Sequence, residues 1–388
     1  PNYNTQISEK AKLPARPRRE LMRKMKVCFF SGDITRSGGT ERAACMIANG
    51  LAAQKDYEVC VLSLVEQAAR KRPFLYLDSK ISHEALGQQW IQPGPKYLAL
   101  IPKLRRFMKQ REIDWMIDID IVLDALAVPA AYKSKTNVIS WEHFSFGYET
   151  SKRFGYRNFI LRYVTTKSNR IITLTEKDRQ AYLHGIRRLP PIRSIYNPVE
   201  KAPSKNVQNK KQWIITVGRL VYEKGIDYLL HTAEIVLKKY PDWQWLLLGD
   251  GDRKEWLNTQ IQKRHLEKHL LVKGKVADVD AYLAQAQIFV LTSRREGLPM
   301  CLLEAKAHGL ACVSFDIETG PDEIITDGVN GFLIPAYDDV KMAEKIGQLL
   351  EHANLRYTFM ENAAFGIEKF RLETVLQQWN EVLLTRCE

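Results

Sequence analysis

Ile288-Phe-Val-Leu-Thr-Ser-Arg-Arg-Glu-Gly-Leu-Pro-Met-Cys-Leu-Leu-Glu304 packs an apolar strand, a tight turn and a helix start into one short run. The apolar run 288–291 reads as a buried strand, and the Gly297-Leu-Pro299 turn ends it. Proline suits the first helical position, so Pro299 is expected to open the helix. Free N–H groups and the helix dipole converge at such a junction and favour a phosphate. Glu296 and Glu304 flank it, and carboxylates there can accept hydrogen bonds from sugar hydroxyls. The stretch reads as a pocket for a sugar joined to a phosphate.

The same strand–turn–helix rhythm runs through the chain. Apolar strand-like runs occur at 27–30, 59–64, 115–119, 137–141 and 170–173, then again at 213–217, 245–248, 270–273, 288–291 and 310–314. Segment 40–54 has helical spacing, and Thr175-Glu-Lys-Asp178 resembles a capping box. Strands separated by helices imply parallel sheets covered on both faces. The fold class is therefore α/β, with two doubly wound Rossmann-like domains facing across a cleft. A Pro-, Asn-, Lys- and Ser-rich stretch at 199–211 reads as the linker between domains at 25–198 and 212–370. The apolar stripe Leu372, Val375, Leu376, Trp379, Val382 and Leu383 must pack on something. Segment 371–388 is expected to cross back to the first domain.

At 388 residues the chain exceeds one ordinary core. Its composition, 45% hydrophobic and 27% charged, is that of a globular protein. No apolar run approaches the roughly 18 residues that span a bilayer, and no signal-peptide pattern is found. The six cysteines are scattered without CxxC or metal spacing, as for buried thiols of a reducing cytoplasm. The formal charge is +13. Residues 1–24 hold seven basic and two acidic side chains, a net of +5, and read as a flexible arm or an expression remnant. The remaining charge is spread and carries no nucleic-acid-binding motif, so no nucleic-acid partner is expected.

In open parallel sheets, ligands sit beyond the carboxyl ends of the strands. Four further loops there carry chemistry. Gly38-Gly39 lies between a strand and a helix and lets a ligand approach the backbone; the spacing is not GxGxxG, which argues against a nicotinamide-dependent oxidoreductase. Gly218-Arg-Leu-Val-Tyr-Glu-Lys-Gly225 sets Arg219 and Lys224 where they can neutralise a diphosphate, although solvated basic residues would look the same. Glu142-His143 follows the run 137–141, where a lone histidine is more often structural than catalytic. Gly249-Asp-Gly251 marks a tight turn.

Together these pieces resemble a glycosyltransferase of the two-domain GT-B architecture, in the large retaining group called family 4. The resemblance rests on the E-x7-E run Glu296–Glu304, the Gly-Arg…Lys-Gly set at 218–225, Gly38-Gly39 and Glu142-His143, and it covers the chain from about Met25 onward. Ser140-Trp-Glu-His-Phe-Ser145 and Thr319-Gly-Pro321 are similar to the subgroup that builds bacterial lipopolysaccharide, capsule and related surface glycans. The resemblance implies that Glu304 binds the nucleotide ribose and Glu296 meets the transferring sugar. It implies that the amides of Gly297, Leu298, Met300 and Cys301 serve sugar and phosphate, and that Arg219 and Lys224 hold the diphosphate. It implies that His143 approaches the donor sugar, and that a uracil lies near Lys275 and Val276. The donor is a nucleotide sugar, expected to be a UDP-sugar, with no cofactor and no metal. Retention of configuration by front-side attack is what the family implies.

Asp118-Ile-Asp120 is a competing motif, since a strand puts both carboxylates on one face and GT-A enzymes hold manganese with such a pair. No other GT-A feature accompanies it. On the acceptor side, 96–111 and 152–170 are basic, and the second interleaves Phe154, Tyr156, Phe159 and Tyr163. Such segments suit an anionic membrane surface. The expectation is a cytoplasmic enzyme, peripheral on the inner face of the membrane, with a glycan or lipid-linked acceptor; a soluble or protein acceptor is the alternative.

Overall fold

The structure is a computed structural model that describes residues 23–36, 38–66, 77–89, 91, 94–151, 155–200 and 210–385. The basic arm up to residue 22, residues 201–209 of the expected linker and residues 152–154 of the aromatic–basic segment lie outside the described residues.

Thirteen strands among these residues form two all-parallel sheets. The first contains β1 (Met25–Ser31), β2 (Tyr57–Val65), β3 (Ser82–Gly87), β4 (Trp115–Ile119), β5 (Asn137–Trp141), β6 (Arg170–Thr173) and β7 (Ile192–Ser194), in the order β3-β2-β1-β4-β5-β6-β7. The second contains β8 (Trp213–Val217), β9 (Gln244–Leu248), β10 (Leu270–Gly274), β11 (Ile288–Leu291), β12 (Ala311–Asp316) and β13 (Gly331–Pro335), ordered β10-β9-β8-β11-β12-β13. Both are doubly wound, and in each the order reverses beside the first strand. The switch points lie between β1 and β4 and between β8 and β11, where a crevice opens beyond the strand ends.

The central strands form because parallel strands buried on both faces need continuous apolar runs. β4, β6 and β11 are buried along their whole length. Three strands escape a reading of apolar runs: β3, β7 and β13. All are edge strands. β3 (Ser-His-Glu-Ala-Leu-Gly) is mostly half-exposed, β7 has three residues, and Gly331 and Pro335 bound β13.

The Leu372–Leu384 helix packs on the first sheet although it follows the second in sequence. Trp379 is fully buried, 5.1 Å from Trp141 at a 76° interplanar angle and 6.5 Å from Phe29. The Trp115 indole donates to the Leu383 carbonyl at 3.2 Å, and Arg170 donates to the carbonyls of Val382 and Thr385. The apolar stripe thus covers the β1–β4–β5 face and joins one core to the other.

Candidate functional site

The loop after β8 and the loop after β11 meet at the second switch point. Lys224 ends a 3₁₀ turn (Tyr222–Lys224), and its Nζ lies 2.5 Å from Glu296 Oε1. Ser293 Oγ donates to the same oxygen at 2.6 Å, and Thr292 Oγ1 donates to the Lys224 carbonyl at 3.0 Å. Burial alone would lower the Lys224 pKa, but the Glu296 carboxylate overrides it and raises it, so the ammonium stays charged. Arg219 is exposed beside this pair, and no salt bridge occupies it among the described residues. Its loop is braced from below. Gly218 donates to Leu248 O at 3.0 Å, Leu220 to Asp250 O at 2.9 Å and Arg253 to Leu220 O at 2.9 Å. Gly249 runs so close to the Gly218 carbonyl that no Cβ would fit. The Gly249-Asp-Gly251 turn therefore acts as the support that aims Arg219.

The Glu296 turn is fixed by a second loop that the sequence reading noted only in passing. Thr319 Oγ1 donates to the Glu296 carbonyl at 2.6 Å. Pro299 does not occupy the first helical position as expected. It is the N-cap, with extended backbone (φ −73°, ψ 101°), and Met300 begins the helix Met300–Ala307. The reason is local: the Pro299 carbonyl accepts from Leu302 and Leu303, as an N-cap carbonyl does, while a ring nitrogen is tolerated in either place. Met300 and Cys301 consequently supply the free amides of the first turn. Burial pushes the Cys301 thiol up to about 12, so it is a neutral wall and not a thiolate.

The two domains touch through these residues. Gly38 caps the helix Gly39–Ala52, and the Cα of Gly39 faces Met300, whose Cγ lies 3.1 Å from where a Cβ would stand. One turn on, Arg42 pairs with Glu304 at 2.8 Å. Arg42 was not singled out in the sequence; only its position one helical turn into the Gly-Gly helix hints at it. Gly297 lies against the backbone carbonyl of His143, with no space for a Cβ between them. Leu298 is buried behind it. Glu296, Gly297, Leu298, Met300, Cys301 and Glu304 thus share one wall with Gly38, Gly39 and His143 opposite. Lys275 and Val276 lie beyond edge strand β10, two strands from β8.

His143 is 6% exposed, and its ring packs against Trp141 with centroids 4.4 Å apart at a 55° tilt. Burial lowers its pKa to about 3, so the imidazole is neutral at working pH, and its Nε2 has no hydrogen-bond partner among the described residues. An unpaired buried ring nitrogen at a cleft is costly unless a ligand completes it.

The Asp118-Ile-Asp120 pair is not presented as a pair. Asp118 is wholly buried, and burial followed by the neighbouring Asp124 raises its pKa; burial also raises Asp124, against the lowering effect of its hydrogen bonds to Asp118, Thr165 and Ser140. Asp120 leaves the strand at φ 97°, caps the helix Ile121–Ala131 through the Val122 amide and binds Arg157 at 2.6 Å. The strand ends between them, so strand periodicity no longer governs the second carboxylate. Among the described residues no group of three or more His, Cys, Asp or Glu is arranged for a metal ion.

Two parallel Rossmann-like sheets with their switch points face to face, a cationic loop on one and a Gly-Gly helix start on the other, define a GT-B glycosyltransferase. The sequence agrees: residues 199–364 match the family described as glycosyl transferases group 1, and residues 37–202 match glycosyltransferase family 4. The chain belongs to the family 4 glycosyltransferases of GT-B architecture. It is 29% identical over 359 residues to an uncharacterized glycosyltransferase of Haemophilus influenzae, covering 92% of this chain and 99% of that one. It is 23% identical over 367 residues to an α-1,4-N-acetyl-D-galactosaminyltransferase of Campylobacter jejuni, named for a diNAcBac-PP-undecaprenol-linked acceptor, covering 92% and 98%. The structure of Anabaena HepE in complex with UDP and glucose superposes with a TM-score of 0.79 at 20% identity, covering 93% of this chain and all of that one.

Proposed function

We propose that this enzyme transfers a hexose or N-acetylhexosamine from a UDP-sugar to a hydroxyl of a glycan or lipid-linked acceptor in surface-polysaccharide synthesis, with retention and without a metal. The observation that carries this reading is the Lys224–Glu296 pair at the β8/β11 switch point, with Arg219 exposed beside it and the first-turn amides of Met300 and Cys301 opposite. Breaking the anomeric bond puts negative charge on the departing diphosphate and positive charge on the sugar. Preplaced cations and amide dipoles stabilise the leaving group without reorganising, an effect worth several kcal/mol. Glu296, held by Lys224 and Ser293, stabilises the sugar. Neutral His143 offers an imidazole nitrogen to a sugar hydroxyl, and Glu304 exchanges Arg42 for the ribose hydroxyls. On this reading the departing phosphate itself takes the acceptor's proton on the same face.

The HepE complex with UDP and glucose and the Campylobacter relative's undecaprenol-linked acceptor support the donor and acceptor classes. A peripheral membrane position on the cytoplasmic side is part of the proposal. Tyr156, Phe159 and Tyr163 lie on one face of the Tyr156–Tyr163 helix at 53%, 60% and 64% exposure, beside Arg162. No helix among the described residues is long and apolar enough to cross a membrane. Exposed aromatics beside basic groups suit a headgroup region. Flotation with anionic but not zwitterionic vesicles, weakened in Phe159→Ser, is expected.

The deciding experiment is a panel of UDP-sugars scored by thermal stabilisation and UDP release, with and without chelator, followed by NMR of the product anomer. One donor should stabilise the protein and release UDP in chelator, with its anomeric configuration kept. Stabilisation by none of them, or inversion, would end this reading.

A further inference from the structure

The segment 143–149, a short loop running into the Phe146–Thr150 helix, begins at His143 and so starts at the reacting gap, yet the donor site uses only its first residue. Phe144 is 39% exposed, and its ring stacks on Tyr148 with centroids 5.0 Å apart and an interplanar angle of 25°. Behind this pair the Arg157 guanidinium lies 5.1 Å from the Phe144 centroid and 5.5 Å from that of Tyr148. Arg157 is itself immobilised, since it donates to Asp120 at 2.6 Å and to both oxygens of Glu149 at 2.6 and 2.7 Å. Those two carboxylates neutralise it, so it serves as a rigid backing and not as an anion site. From the opposite domain Arg295, the neighbour of Glu296, places its guanidinium 5.7 Å from the Tyr148 ring. Glu318, also from that domain, accepts from Ser145 Oγ at 3.3 Å.

This arrangement is not explained by packing. An aromatic pair buried for the core would turn its faces inward, whereas Phe144 stays more than a third open at the mouth of the cleft. Phe144 spends one ring face on Tyr148 and is fixed by a salt-bridged arginine, so its exposed side presents an apolar ring surface, and the axial C–H side of a pyranose is the complement of such a surface. A ring face carries negative potential and the sugar C–H groups are slightly positive, so stacking is attractive beyond area burial. Because Arg295 and Glu318 reach the loop from the donor domain, the surface is complete only when the domains approach.

We propose that Phe144 and Tyr148, backed by Arg157 and closed over by Arg295, form the acceptor platform, which stacks the apolar face of an acceptor pyranose beside the donor sugar. This inference rests on the donor-site reading above. Phe144 contacts the acceptor ring, whereas Arg157 and Arg295 are positioning residues that act through the aromatic pair.

The test uses the UDP-sugar found by the donor panel and a set of p-nitrophenyl α- and β-glycosides of glucose, galactose and their N-acetylamino forms. Hydrolysis of the UDP-sugar by water is measured beside transfer to the glycosides. Phe144→Ala is expected to raise the acceptor KM about 10-fold with donor hydrolysis within about 2-fold of the parent, and Phe144→Tyr to restore it. Arg295→Gln should raise the same KM by a smaller factor. Saturation-transfer NMR of the bound glycoside should weaken on its ring protons in Phe144→Ala. An unchanged acceptor KM in Phe144→Ala, a fall in donor hydrolysis equal to the fall in transfer, or transfer by the parent to none of these glycosides would overturn the platform. A parent that hydrolyses no UDP-sugar would instead remove the donor-site reading.

Discussion

The two sheets share a strand order and a switch point, yet the chemistry at the two crevice walls is opposite. On the β8/β11 wall the charges are cationic and partly exposed: Arg219, Lys224 and Arg295, with Lys224 paired to Glu296. On the β4/β5 wall carboxyls are buried, and burial lifts Asp178 to about 7, Glu149 to about 7 and Asp124 to about 6. Glu142 is raised as well, with Tyr182 donating to it at 3.0 Å. Fold alone therefore does not set the function of a switch point. On the proposed reading, the wall that receives the diphosphate keeps its charges available, and the opposite wall raises its buried acids and keeps its histidine uncharged.

The joint between the two halves gives the largest expected effect on folding. Trp379→Ala should cost about 4 kcal/mol, because it empties a fully buried site between Trp141 and Phe29. Denaturant unfolding would measure it, and a cost confined to the second sheet would mean that the helix does not tie the halves together. On the cationic wall, Arg219→Ala or Lys224→Ala should cut turnover by about 100-fold or more, while the melting temperature of Arg219→Ala stays near the parent's. Near-normal rates in both would remove the assignment of that wall to the leaving group.

The opposite wall is tested by pH. Asp178 has a folded pKa of about 7, above its unfolded value of about 3.9. Its contribution to stability is full at low pH and is lost as pH rises through 7. His143, lowered to about 3 from about 6.5, has the reverse sign: its contribution is full above 6.5 and is lost as pH falls towards 3. Thermal unfolding from pH 4 to 8 should show the rising-pH loss flattened in Asp178→Asn and the acid loss flattened in His143→Phe. Unchanged slopes in both variants would mean that these groups titrate as if exposed.

The smallest effect is expected where the walls touch. The Arg42–Glu304 pair is partly exposed, so its own energy is modest. Arg42→Ala removes this one competitor for Glu304 and should tighten UDP binding by about 3-fold in calorimetry, within the range of a partly exposed pair. Weaker binding would show instead that Arg42 itself holds the nucleotide.

Much of the fold was legible in the chain because strands buried on both faces leave continuous apolar runs. The runs at 115–119, 137–141, 170–173, 213–217 and 288–291 coincide with β4, β5, β6, β8 and β11. Edge strands β3, β7 and β13 left no such mark. Local chemistry was legible as well. Arg219 and Lys224 stand on the loop after β8 and Glu296 on the loop after β11, and the adjacency of these two strands in the parallel sheet brings them together. The N-cap role of Pro299 was misjudged by one position, because both sites tolerate a residue without an N–H.

What the sequence determined by itself was the pair of parallel sheets and the residue types at their carboxyl ends, since hydrophobic runs, glycine turns and helix starts act over a few neighbours. Tertiary structure alone decided which of those groups are charged, paired or open. The neutral state of His143, the sharing of Asp118 with Asp124, the Arg42–Glu304 contact and the Phe144–Tyr148 face all depend on burial and on segments more than a hundred positions apart or brought in by neighbouring loops. Solvent exclusion and Coulomb attraction are set by distance in space, which the order of residues along the chain does not carry.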